Sequence, residues 1–158
     1  MQIGRRRALK GAGGMAVLGL AVAAGVIRPG TARAEAWNKA AFEVKNSLND
    51  AVKALGGSAA PIESNEIAMS SPDIAENGAV VPFTVTSKLP KTESIALLVE
   101  KNPNILAANF DIPDGTDPWI NTRIKMGQTS NVIALVKADG KYYYTAKEVK
   151  VTLGGCGG

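Results

Sequence analysis

The chain has 158 residues, 18 Lys plus Arg against 14 Asp plus Glu, no His and one Cys. Absence of His excludes a Ser-His-Asp triad, a Cys-His pair and every His-containing metal site, and a single Cys excludes an internal disulfide or a cysteine cluster for zinc or iron–sulfur. The net charge of +4 suggests an anionic partner, yet six of the cations (Arg5, Arg6, Arg7, Lys10, Arg28 and Arg33) fall in the first 34 residues beside no acid, leaving 12 basic against 14 acidic residues, or −2, in the remainder. No nucleic-acid partner is expected.

Arg5-Arg6-Arg7-Ala8-Leu9-Lys10 precedes an apolar run, rich in Gly and Ala, from Gly11 to Ile27. Arg28-Pro29-Gly30 then breaks any helix, and Ala32-Arg33-Ala34 has the small-x-small form of a signal peptidase site. The pair Arg5-Arg6, followed by one arbitrary residue (Arg7), an apolar residue, Leu and Lys, resembles a twin-arginine export signal, with Gly4 where Ser or Thr often stands. Residues 1–34 are therefore expected to be a signal peptide for folded export to the periplasm, cleaved after Ala34 or, alternatively, after Ala36. Stable membrane association is not expected afterwards. The competing reading is a retained anchor, since the run is near the lower limit for spanning a bilayer.

Residues 35–57 predict an amphipathic helix. Trp37, Ala41, Val44, Leu48, Val52 and Leu55 recur at helical spacing, with Lys39, Glu43, Lys45, Asn49 and Lys53 on other faces. Gly56-Gly57 supplies the stop. The stripe is a docking face for the domain core or a partner.

Residues 58–153 change to period two. Val81, Phe83 and Val85 alternate with Pro82, Thr84 and Thr86, Val149, Val151 and Leu153 with Glu148, Lys150 and Thr152, and Ile95, Leu97 and Val99 with Ala96, Leu98 and Glu100. Val132 to Val136 is continuously apolar, the pattern of a central strand covered on both faces. Asp139-Gly140 between two strong strands predicts a hairpin. No further long helical stretch separates the strands, so the reading is mainly β: an antiparallel sandwich preceded by an N-terminal amphipathic helix.

Three clusters in this region invite functional readings. In Tyr142-Tyr143-Tyr144 the middle ring must face away from its neighbours, so packing explains the triplet better than a stacking platform. Trp119 and Arg123 share one strand face and suit either a cation–π contact or an interface patch. Asp111, Asp114 and Asp117 have an interval of three, but Pro113, Pro118 and the absence of a closing Glu do not fit a calcium loop; a solvated turn is expected. No catalytic acid pair, metal site or bound cofactor emerges.

The residues after Leu153 are Gly154-Gly155-Cys156-Gly157-Gly158. Four glycines bring no bulk and little steric restriction. Three residues from Leu153 let Cys156 swing roughly 10 Å. An exposed unpaired thiol is a liability in an exported protein, so it is read as functional: a covalent attachment point on a flexible arm of residues 154–158.

This ending, on an exported β domain with an N-terminal helix, resembles the SoxY family of sulfur carriers of the bacterial thiosulfate-oxidising Sox system. The resemblance extends through Ser94-Ile95-Ala96-Leu97-Leu98-Val99-Glu100-Lys101-Asn102-Pro103-Asn104, Ala107-Ala108-Asn109-Phe110 and Thr122-Arg123-Ile124-Lys125-Met126. It implies an Ig-like sandwich, with covalent sulfur attachment at Cys156 and arm roles for Gly154, Gly155, Gly157 and Gly158. It also implies a heterodimer with a SoxZ-like subunit and transient encounters with the SoxAX cytochrome, the SoxB hydrolase and, where present, SoxCD. The protein would then be a substrate of these enzymes and no enzyme itself. Two other classes fit parts of the sequence: an exported structural β module crosslinked through Cys156, and a ubiquitin-like carrier using a thiocarboxylate on Gly158.

Overall fold

A computed structural model describes residues 38–45 and 47–152. The expected signal peptide (residues 1–34), residues 35–37, residue 46 and the whole 153–158 segment lie outside these residues. The helical region forms two short pieces, α1 (Lys39–Phe42) and α2 (Leu48–Ala54). The expected continuous helix is interrupted for an identifiable reason: the Val44 carbonyl accepts the Ile105 N–H at 2.9 Å, leaving the helical ladder. Ser47, extended at φ −157°, then caps α2 by accepting the Asp50 N–H. Asn38 joins the two pieces, its Oδ1 accepting from the Ala41 amide and its Nδ2 donating to the Ala54 carbonyl at 2.6 Å. Despite the break, Ala41 and Val52 of the predicted stripe are fully buried.

Among the described residues nine strands follow: β1 (Ile62–Glu63), β2 (Ile67–Ser70), β3 (Ile74–Ala75), β4 (Val81–Ser87), β5 (Thr92–Val99), β6 (Leu106–Asp111), β7 (Trp119–Ile124), β8 (Ser130–Ala138) and β9 (Lys141–Val151). The larger sheet runs β1-β9-β8-β5-β6, with β3 also on β9, and the smaller runs β2-β4-β7. The fold is mainly β, a sandwich as the alternation predicts and Ig-like as the resemblance implies. Between the sheets Val81, Phe83, Val85, Ile120 and Ile124 meet Ile95, Leu97, Val99, Val132, Val136 and Val149. On the outer face of the larger sheet a second apolar cluster joins Ala41, Ala51 and Val52 to Ala96, Leu98, Leu106, Ile133, Leu135 and Tyr142. That helical cover explains why Ile95 to Val99 is buried at every position, where the period-two reading marks only every second residue as apolar core.

The predicted hairpin joins β8 to β9, pairing Ala138 with Lys141 across a two-residue turn. Asp139 (φ 48°) and Gly140 (φ 74°) both adopt left-handed backbone, the geometry of a type I′ turn, whose twist matches that of the flanking strands. Two short pairings depart from the antiparallel expectation. β1 and β3 both run parallel to β9, with Ile62 opposite Tyr143 and Ile74 opposite Lys150. Both partners are remote from β9 in sequence, so no hairpin imposes an antiparallel sense on them.

Candidate functional site

The last described strand precedes the segment that bears Cys156 in sequence, so its end is the root of the predicted arm. β9 is paired with β8 from Lys141 up to Val149, which lies opposite Ser130. Beyond that point β8 offers no partner, and three residues are held by other means. The Lys150 amide donates to the Asp73 carbonyl at 2.9 Å and the Thr152 amide to the Ala75 carbonyl at 3.1 Å. The Val151 amide, on the opposite edge, donates to Thr129 Oγ1 at 3.0 Å. Thr152 Oγ1 makes a longer contact to the Glu76 carbonyl, at 3.4 Å. The backbone is thus paired through the last described residue, and β9 ends at Val151, two residues before the predicted strand end.

The segment that grips this root, residues 71–78, is itself fixed at both ends. Lys147 Nζ donates to the Ser71 carbonyl at 2.9 Å and pairs with Asp73 Oδ1 at 2.8 Å. That hydrogen bond, reinforced by the Lys147 charge, holds the Asp73 carboxyl below its usual value. At the other end Gly78 accepts the Met126 N–H at 2.7 Å. A Cβ on Gly78 would lie 2.5 Å from the Met126 carbonyl oxygen and 2.8 Å from Val151 Cγ1, so only glycine allows this approach.

Cys156, Gly154, Gly155, Gly157 and Gly158, the predicted attachment and arm residues, lie outside the described residues. The other sequence candidates are placed. Tyr142 is buried, with its hydroxyl donating to the Leu55 carbonyl at 2.7 Å, and burial pushes its phenol above the ordinary value while the Lys137 charge opposes that. Tyr143 packs on the core between the sheets and Tyr144 on the helical side, so the triplet forms no single platform. Trp119 and Arg123 share the outer face of β7 with Asn121, and Trp119 is 54% exposed. Asp111 closes β6, while Asp114 and Asp117 lie on an exposed turn in which the Thr116 amide donates to the Pro113 carbonyl. Among the described residues no group of three or more Asp, Glu, Cys or His is arranged to hold a metal ion.

A groove beside α2 is lined by Ser47, Leu48, Leu98, Glu100, Ile105 and Ile133. Its one hydroxyl is already committed to capping the helix, and it presents no cation or nucleophile. Lys147, Asp73, Thr129 and Gly78 are the residues that sequence reasoning missed. One signal was available. In the alternation that sends Val149 and Val151 inward, Lys147 occupies the same face, and a charge at an inward position requires a partner.

Among the described residues no helix is long and apolar enough to cross a membrane. The family model for the sulfur oxidation protein SoxY matches residues 52–156, a span that ends on Cys156. The solved structure of the sulfur carrier protein SoxY from Chlorobium limicola f thiosulfatophilum is 39% identical, with a TM-score of 0.61, over 67% of this chain and 96% of that one. A chain from a structure of T cell activation by the bacterial superantigen toxic shock syndrome toxin-1 is 10% identical, with a TM-score of 0.39, over 54% of this chain and 99% of that one, too distant to bear on function. No curated protein matches the sequence. The family match over most of the chain, together with the 39% identity, establishes that the chain belongs to the SoxY family of sulfur oxidation proteins.

Proposed function

We propose that the protein is a covalent carrier of sulfur intermediates in thiosulfate oxidation, with Cys156 as the attachment point. One observation carries the reading: the family match runs through to Cys156, the chain's single thiol, and a 39% identical relative is described as a sulfur carrier. Glycines 154, 155, 157 and 158 supply the swing and slimness that an arm needs to enter a narrow active site. The domain supplies a rigid base with its backbone paired as far as Thr152.

The chemistry balances with a thiol alone on the carrier. Thiosulfate and the Cys156 thiol join through a new S–S bond, releasing a proton and two electrons, which a c-type cytochrome of the SoxAX kind accepts. Water then cleaves the terminal sulfonate as sulfate under a SoxB-type hydrolase, leaving a persulfide on Cys156. Where a SoxCD-type enzyme is present, the outer sulfur loses six electrons and takes three oxygens from water, and a second hydrolysis restores the thiol. The carrier binds no cofactor and catalyses no step. It is exported folded to the periplasm by the twin-arginine route, loses residues 1–34 and pairs with a SoxZ-like subunit.

Replacement of the thiol oxygen-for-sulfur tests this reading. Cys156→Ser is expected to keep the circular dichroism spectrum and melting temperature of the parent while abolishing thiosulfate-dependent electron transfer in the reconstituted system. Retained turnover overturns the assignment.

A further inference from the structure

Resting on the carrier reading, we propose that Lys147 is a positioning residue that sets where the arm leaves the domain, and hence how far Cys156 reaches. After Val149 the root of the arm leans on the narrow strap of residues 71–78, whose strand β3 is two residues long. Ile74 of that strand is 57% exposed, so apolar burial on the strap rests mainly on Ala75 against the β9 edge. Backbone pairing so short is weak when alone. Lys147 compensates from within β9: its stem lies on the inward face and its ammonium holds the Ser71 carbonyl and the Asp73 carboxylate together. The Asp73 side chain is 86% exposed, so the carbonyl bond, from the 34% exposed Lys147, contributes more than the ion pair.

Release of the strap frees the Lys150 and Thr152 amides and leaves Val151 held through its amide on Thr129 Oγ1 alone, so that once this single bond also opens the arm begins after Val149. Three extended residues then lengthen its reach by roughly 10 Å. The longer tether spreads Cys156 over a larger volume and dilutes it at any one docking position. An intact clamp therefore fixes where the chain leaves the domain at Thr152, so that a processing enzyme meets the base of the arm in one place.

The single thiol provides the test. A nitroxide on Cys156 of the full domain broadens nearby amide resonances, and the same spectra follow hydrogen exchange of the Lys150 and Thr152 amides. In the parent protein the broadening is expected around residues 73–78, 125–130 and 148–152. Lys147→Met keeps the apolar stem and removes the ammonium. It is expected to accelerate exchange at Lys150 and Thr152 about tenfold and to extend the broadened area, with protection in the β8–β9 ladder unchanged. Lys147→Arg is expected to restore both. Asp73→Ala removes an exposed side chain and leaves the fold intact; it is expected to accelerate the same two amides about twofold. Unchanged exchange and an unchanged broadened area in Lys147→Met overturn the proposal, as does acceleration spread uniformly over the domain. None of these readouts uses sulfur chemistry, so failure here is distinct from failure to find an adduct on Cys156, which bears on the carrier reading itself.

Discussion

The Tyr142 hydroxyl donates to the Leu55 carbonyl at 2.7 Å, which ties the second residue of β9 to the C-terminus of α2. The same strand ends at Val151, at the root of the proposed arm. One continuous strand of 11 residues thus runs from the helical cover to the clamp formed by residues 71–78. Its register is fixed at the near end by the hairpin turn and at the far end by Lys147 and Thr129.

Tyr142→Phe is the direct probe of the near end. It preserves the ring that packs against Val52 and Leu55 but leaves a carbonyl without its donor. The expected cost is about 1 kcal/mol, typical of one partly buried hydrogen bond. For a domain of this size that corresponds to a fall in melting temperature of roughly 3–6 °C. A melting temperature equal to the parent's would show that the bond adds nothing to the helical cover.

Gly78→Ala probes the far end. The added methyl meets the Met126 carbonyl oxygen, a backbone atom that cannot rotate aside, and the Val151 side chain. Overpacking of this kind costs about 1–3 kcal/mol. The loss is expected as a lower urea midpoint, together with faster exchange of the Met126 amide, whose bond to the Gly78 carbonyl is stretched. A midpoint within error of the parent's would mean that the strap moves freely, and would count against the clamp.

The β8–β9 turn carries the clearest dependence on pH. Glu93 accepts from Lys137 Nζ at 2.7 Å through one oxygen and from the Gly140 amide at 2.7 Å through the other. The Lys137 hydrogen bond, then the Gly140 amide, hold the Glu93 carboxyl below its usual range. A carboxyl lowered in the folded state contributes stability above its unfolded pKa, and that stability is lost as pH falls through the folded value. Asp73 and Asp139 are lowered too, each by its lysine partner, so unfolding is expected to become easier on acidification below about pH 4.5. Glu93→Gln is expected to cost about 0.5–1 kcal/mol at pH 7, since the pair is partly solvated, and to give a shallower acid limb. Urea midpoints measured at pH 7 and pH 3 check both; an acid limb of unaltered slope would show that Glu93 is not a contributor.

Much of this arrangement is legible in the sequence because it rests on local rules. Asp139-Gly140 supplies the two left-handed positions of its turn, and Val132 to Val136 announces a strand covered twice. The alternation around Val149 and Val151 orients β9 correctly. Other features depend on contacts remote in sequence. The break between α1 and α2 follows from an Ile105 amide that competes for the Val44 carbonyl, which no helical periodicity near residue 44 encodes. Parallel pairing of β1 and β3 with β9 likewise joins segments some 75 to 80 residues apart. The thiol and its glycines are plain in the sequence, whereas the clamp at their base emerges only when residues 71–78, 126, 129 and 147 are brought together.

The central claim is that Cys156 carries sulfur. Intact-mass analysis with peptide mapping, on protein purified from cells oxidising thiosulfate, tests it most directly. The expected result is a set of sulfur-containing adducts, removable by reductant and confined to Cys156. Finding only unmodified chain and a Cys156-linked dimer, or modification on the Gly158 carboxylate in its place, would contradict it.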